Sequence, residues 1–180
     1  HLDGARLANA VVKTGISFKT YGKLFDTISL CLSKGLGAPV GSVLVGGPDF
    51  IERARRIRKQ LGGGMRQSGI LAAAGLYAVE HNLQRLSKDH ENASNLAEQL
   101  SKNTHFQVPL NIIDTNIVYA DIGPEKAEEM HSHLSNNNVR VNFPEKIIIN
   151  GEIRSRFRFV VHLDIDDEDI IKLINICKNF

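Results

Sequence analysis

The stretch Ser29-Leu30-Cys31-Leu32-Ser33-Lys34-Gly35-Leu36-Gly37-Ala38-Pro39-Val40-Gly41-Ser42 sets a lysine into a turn between two strands. Thr27 to Cys31 alternates apolar and polar residues and reads as a strand. Val40 to Val45 reads as a second strand, stopped by Gly46-Gly47-Pro48. Between them, two glycines and a proline within Ser33–Pro39 exclude regular structure. Lys34 is therefore held at one place by its backbone. Such a lysine, if also partly desolvated, can act as a nucleophilic amine and form a Schiff base. A solvated loop lysine is the ordinary alternative, and spacing alone does not separate the two.

Upstream of this turn, Ala5 to Lys13 is expected to be a short helix ended by Gly15. Downstream, Asp49 is expected to cap a helix over Phe50–Leu61, with Phe50, Ile51, Ala54, Ile57 and Leu61 on one stripe. Gly62-Gly63-Gly64 breaks it. A helix over Arg66–Asn82, rich in Ala, Leu and Ile, is expected to be well buried, and Leu83–Ser101 to continue as an amphipathic helix. The composition then changes. Strands are expected at Phe106–Val108, Ile117–Asp121, Val139–Asn142, Lys146–Ile149 and Arg156–His162, with helices at Glu125–Ser135 and Asp167–Lys178. This places a domain boundary near Ser87, giving a first domain over 1–86 and a small α/β domain over 87–180.

The chain has 180 residues, 42% hydrophobic and 23% charged, which suits an ordinary globular α/β protein. Its net charge of +2 gives no general electrostatic case for nucleic acid or an anionic membrane. No apolar run approaches the ~20 residues that span a bilayer. Cys31 and Cys177 fit no metal or redox spacing, which points to a reducing, cytoplasmic setting without a disulfide.

Several motifs have plain readings. Asp3 and Arg6 could meet one ligand, the carboxylate holding a protonated heteroaromatic nitrogen, but taken alone the pair reads first as an ordinary helix-start ion pair. The glycine run follows a helix and lacks Gly-Lys-Ser/Thr, so it is neither a phosphate loop nor a dinucleotide fingerprint. It could still bring Arg66 near an anion. Arg53, Arg55, Arg56, Arg58 and Lys59 are scattered around their helix with no interleaved aromatics, which favours a solvated face or a subunit contact over nucleic acid. His131 and His133 point to different helix faces, and no metal site is expected. The acidic run from Asp164 to Asp169 is expected to cap the last helix.

Taken in order, four segments resemble one family. They are His1-Leu2-Asp3-Gly4-Ala5-Arg6-Leu7, the Lys34 stretch quoted above, Arg58-Lys59-Gln60-Leu61-Gly62-Gly63-Gly64-Met65-Arg66-Gln67, and Arg158-Phe159-Val160-Val161-His162. The chain resembles the low-specificity L-threonine aldolases of the β-eliminating lyase group, which are fold-type I pyridoxal-phosphate enzymes. The resemblance implies the later part of a large cofactor-binding domain, followed by a small α/β domain. It implies that Lys34 carries pyridoxal 5'-phosphate, Asp3 pairs with the pyridine nitrogen, Arg6 meets the ring hydroxyl and Arg66 lies at the cofactor. It assigns Arg158 and Lys59 to the substrate, a β-hydroxy amino acid cleaved to glycine and an aldehyde. It also implies a homo-oligomer, a tetramer in this family, and an upstream segment of the same enzyme bearing the other half of the site. One departure is Val161, where many relatives have threonine. The rival expectation is a non-catalytic fragment packing with a missing segment, or a related β-eliminating lyase.

Overall fold

The computed structural model describes residues 1–180 and divides into two compact units, His1–Ser87 and Lys88–Phe180.

The first unit is built on a three-stranded sheet ordered β1 (Leu2–Gly4), β2 (Thr27–Cys31), β3 (Ser42–Gly46). β1 runs parallel to β2, with Asp3 opposite Ser29, and β3 runs antiparallel to β2. The short β1 was not expected from sequence, nor was helix α2 (Phe18–Gly22), which Ser17 caps by accepting from the Thr20 N–H at 3.1 Å. Helix α1 (Leu7–Thr14) ends at Gly15, whose φ of 71° is the left-handed closure that glycine permits. Helix α3 (Pro48–Gln60) is capped at Gly47, with Pro48 at its first position, so Asp49 lies inside the first turn rather than capping it. Helix α4 (Gly69–His81) begins later than expected, because Gln67 sits at φ 50°, outside the right-handed helix.

The buried cluster of this unit is small: Ala8, Leu36, Ala38, Ala78 and Leu86. α4 approaches through its small residues. A Cβ on Gly75 would lie 2.9 Å from Leu32 Cδ1. The expectation that α4 is well buried is corrected: only Gly75 and Ala78 are, while Leu76 and Tyr77 are each 60% exposed. α3 buries no residue, and Val43, Leu44 and Val45 of β3 are also exposed. The apolar patterning is real, but this unit contains nothing that covers it.

The second unit is an antiparallel sheet ordered β4 (Ile117–Ile122), β6 (Glu152–Val160), β5 (Glu145–Ile149), accompanied by α5 (Leu86–Ser101), α6 (Ala127–Asn136) and α7 (Asp167–Lys178). Its core joins Leu96 and Leu100 of α5 to Val118 and Ala120 of β4, Met130 and Leu134 of α6, Phe157 of β6 and Ile170 of α7. Asp166 caps α7 in a reciprocal box with Asp169, as the acidic run suggested. α5 starts at Leu86, after a turn in which Leu86 and Ser87 donate to Leu83 and Gln84, so the helix over Leu83–Ser101 is shortened.

Two expected strands are corrected. Phe106–Val108 shrinks to one bridge, Gln107 to Asp121. Val139–Asn142 forms no strand, because β5 takes the place beside β6 that it would need. The turn joining β5 to β6 is Asn150-Gly151, both at positive φ, the hairpin closure such a dipeptide favours. Val139 and Val141 instead pack against the core from irregular chain.

Candidate active site

In the first unit, three of the sequence-predicted residues gather at one end of the sheet. Because β1 and β2 are parallel, both reach their carboxyl ends on the same side. Asp3 lies in β1, Arg6 follows it, and Lys34 stands in the turn that follows β2. The crevice beyond the carboxyl ends of parallel strands is where α/β sheets bind ligands. Asp3 Oδ1 accepts from the Ala5 N–H at 3.0 Å, which orients the carboxylate at the strand end. Gly4 makes the close approach possible, since a Cβ there would stand 2.6 Å from the Ser29 carbonyl oxygen.

The Lys34 turn is braced from beneath. Gly37 N–H donates to the Lys34 carbonyl at 2.8 Å, and Ala38 N–H donates to Leu32 O at 3.0 Å. Asn82 Nδ2 donates to Leu36 O at 2.8 Å, while Leu36 itself is buried. A Cβ on Gly35 would meet Leu86 Cδ2 at 2.9 Å and Asn9 Oδ1 at 3.2 Å. Asn82 and the buried Asn9 were not singled out from sequence. Both sit in helical patterns where an amide reads as a surface residue or a helix end. Lys34 is exposed in this chain, so this unit does not itself supply the partial desolvation that a nucleophilic lysine needs.

Beside the lysine, Cys31 Sγ lies 3.7 Å from Ser33 Oγ. Partial burial raises the Cys31 thiol, but hydrogen bonds with Ser33 and Ser42 and the charge of Lys34 together bring it below the ordinary thiol value.

Lys59 lies in the last turn of α3, with its side chain against Gly64. Its Nζ lies 3.0 Å from where a Gly64 Cβ would be. Arg66 is exposed between α3 and α4. No hydrogen bond or ion pair links either residue to Lys34 or Asp3. The structure therefore brings Asp3, Arg6 and Lys34 to one sheet end, and joins neither Lys59 nor Arg66 to Lys34 or Asp3.

In the second unit, Arg158 lies on β6 between buried Phe157 and Phe159, with its own side chain exposed on the opposite face. It lines a cleft of about 490 Å³ whose wall also carries Arg140, Asn142, His162, Asp169 and Lys172. No hydrogen bond or ion pair engages the Arg158 guanidinium. Arg156, two residues earlier, is paired bidentately: its Nε and Nη2 donate to Asp121 Oδ1 and Oδ2, each at 2.7 Å. His131 and His133 are spent on the Val141 and Ile176 carbonyls. No three His, Cys, Asp or Glu side chains gather in a metal-holding group.

The sequence pattern of the Beta-eliminating lyase family matches residues 1–122. This chain belongs to the β-eliminating lyase family. The low specificity L-threonine aldolase of Escherichia coli K12 is 43% identical over 173 residues, covering 96% of this chain and 48% of that protein. Low-specificity L-threonine aldolase 1 of Arabidopsis thaliana is 43% identical over 172 residues, covering 94% and 46%. This β-eliminating lyase chain thus spans about half the length of the curated relatives it matches. A threonine aldolase structure from Leishmania major superposes with a TM-score of 0.77 at 17% identity, covering 99% of this chain and 50% of that one. A serine palmitoyltransferase structure from Sphingomonas wittichii gives 0.67 at 14%, covering 89% and 41%. These structural likenesses establish the fold, that of the fold-type I pyridoxal-phosphate enzymes. No helix of this β-eliminating lyase chain is long and apolar enough to cross a membrane.

Proposed function

We propose that this chain supplies the lysine-bearing portion of a pyridoxal-phosphate lyase cleaving L-threonine or L-allo-threonine to glycine and acetaldehyde. The observation that carries this reading is the arrival of Asp3 and Lys34 at the same end of the parallel β1–β2 pair. The donor set fits the cofactor: a primary amine, a strand-end carboxylate and an arginine at the carboxyl end of parallel strands.

In this reading, Lys34 holds the cofactor through its amine, and the turn braced by Asn82 and Gly35 fixes where that amine stands. Asp3 keeps a positive charge on the pyridine nitrogen. Arg6 binds the ring hydroxyl, and Arg66 the cofactor. When bound, pyridoxal phosphate supplies the electron sink for the bond broken between Cα and Cβ. Arg158 binds the substrate carboxylate with its planar fork and so orients the amino acid about its α-carbon. Lys59 assists at the substrate. The likeness to curated threonine aldolases supports these assignments.

The remaining roles fall to an upstream segment of the same enzyme and to neighbouring subunits of a cytoplasmic homo-oligomer, a tetramer. The exposure of Lys34 and of the apolar faces of α4 and β3 favours this over a chain active alone. The decisive experiment adds pyridoxal phosphate, reduces with borohydride and maps the modified residue. Labelling at Lys34, with threonine cleavage once the amino-terminal half carried by relatives is supplied, is the expected result. An unlabelled Lys34 in the completed enzyme would overturn the reading.

A further inference from the structure

β6 presents Arg154, Arg156 and Arg158 on one face, since alternate residues of a strand share a face. Their surroundings differ. Asp121, directly across the β4–β6 ladder from Arg156, is 2% exposed and takes both of its forked donors. Glu145 of β5 stands across from Arg156 on the other side and adds a second negative charge. Tyr119 stands directly across from Arg158, and its ring lies 5.0 Å beneath the Arg156 guanidinium carbon. Arg156 is thus held by a carboxylate in front and an aromatic face below. Arg154 lies farther along, opposite Ile147 of β5. Arg140 belongs to irregular chain along the cleft.

We propose that Asp121 is a specificity-determining residue of the carboxylate site at Arg158: by holding Arg156, it keeps that neighbouring guanidinium from joining Arg158. Alternate strand residues lie about 7 Å apart. Two free guanidinium groups at that spacing would form a site for a dicarboxylate, each taking one carboxylate bidentately. With Arg156 bound to Asp121 and backed by Tyr119, the β6 row offers a single open fork, that of Arg158, which suits one carboxylate, as a monocarboxylic amino acid requires. This inference rests on Arg158 being the carboxylate-binding group. Asp121 acts here through Arg156 as a positioning residue and touches no substrate.

The test reads each arginine separately. The Nε–H signals of Arg156 and Arg158 in the full chain are followed by NMR while acetate or succinate is added, for wild type, Asp121→Asn and Asp121→Glu. In wild type, both anions should move the Arg158 signal and leave that of Arg156 in place. In Asp121→Asn, succinate should also move Arg156 and bind about tenfold tighter than to wild type, with acetate affinity unchanged. Asp121→Glu should restore the silence of Arg156, which a purely structural loss would not do. Movement of Arg156 in wild type overturns the lock, and so does a silent Arg156 in folded Asp121→Asn. If Arg158 itself ignores both anions in wild type, the carboxylate role of Arg158 has failed instead, and the inference falls with it. Should Asp121→Asn lose the dispersed spectrum of a folded chain, wild type decides alone. Guanidinium rotation at Arg156 that stays slow and unaltered by succinate upholds the lock, and its acceleration by succinate overturns it.

Discussion

Asp3 stands opposite Ser29 in the parallel β1–β2 ladder, and the chain beyond Ser29 leads directly into the Lys34 turn. One register therefore fixes two groups of opposite charge at the same sheet end. A one-residue slip would turn Asp3 to the other face.

Replacing Asp3 tests that pairing. Asp3→Asn keeps the shape but loses the charge that stabilises a protonated ring nitrogen. In the enzyme completed with the amino-terminal half of its relatives, turnover should fall by orders of magnitude while cofactor absorbance persists. Near-normal turnover would rule out the role of Asp3.

Lys34→Ala should abolish borohydride-fixable attachment of pyridoxal phosphate. Peptide mass mapping of the reduced protein checks this. A modified peptide found elsewhere in that variant would move the attachment to another lysine.

Arg158→Lys keeps a positive charge and loses the fork. The expected loss in kcat/KM is about 1.5–3 kcal/mol, roughly tenfold to a hundredfold. The fold should survive, since the side chain is exposed and Phe157 and Phe159 hold the strand from its other face. Unchanged kcat/KM would remove Arg158 from the substrate site.

Gly35→Ala brings a methyl group against Leu86 and Asn9. Crowding of this kind costs about 1–3 kcal/mol, so the thermal midpoint of the chain should drop and labelling of Lys34 should weaken with it. Stability and labelling equal to wild type would show that the turn is not braced from beneath.

The two cysteines should react unequally. Thiolate is the reacting form, and Cys31 is partly exposed with its pKa lowered, whereas burial pushes Cys177 up to about 12. At mildly alkaline pH, iodoacetamide should alkylate Cys31 first and Cys177 only on unfolding. Equal rates in the folded chain would contradict this.

The sequence made the Lys34 turn legible because glycine and proline act locally. Arg158 was legible too, since strand alternation with Phe157 and Phe159 places it outside. Val139–Asn142 misled because alternation marks one buried face without naming a hydrogen-bonding partner, and Asn150-Gly151 was the overlooked sign that β5 would take that partner. α4 misled in a different way. Its apolar composition promises burial, but this unit's own residues leave Leu76 and Tyr77 uncovered. The lock of Asp121 on Arg156 was invisible because their pairing depends on a ladder between distant segments.

β6 is the central strand of its sheet, bonded to β4 on one side and β5 on the other. Its inward residues carry the packing, and in the proposed reading one outward arginine, Arg158, carries the recognition. On that reading, drift at position 158 can rewrite which acids this surface accepts without first weakening the scaffold, because Phe157 and Phe159 hold the strand from its other face. Selection for a new substrate would find its shortest route there.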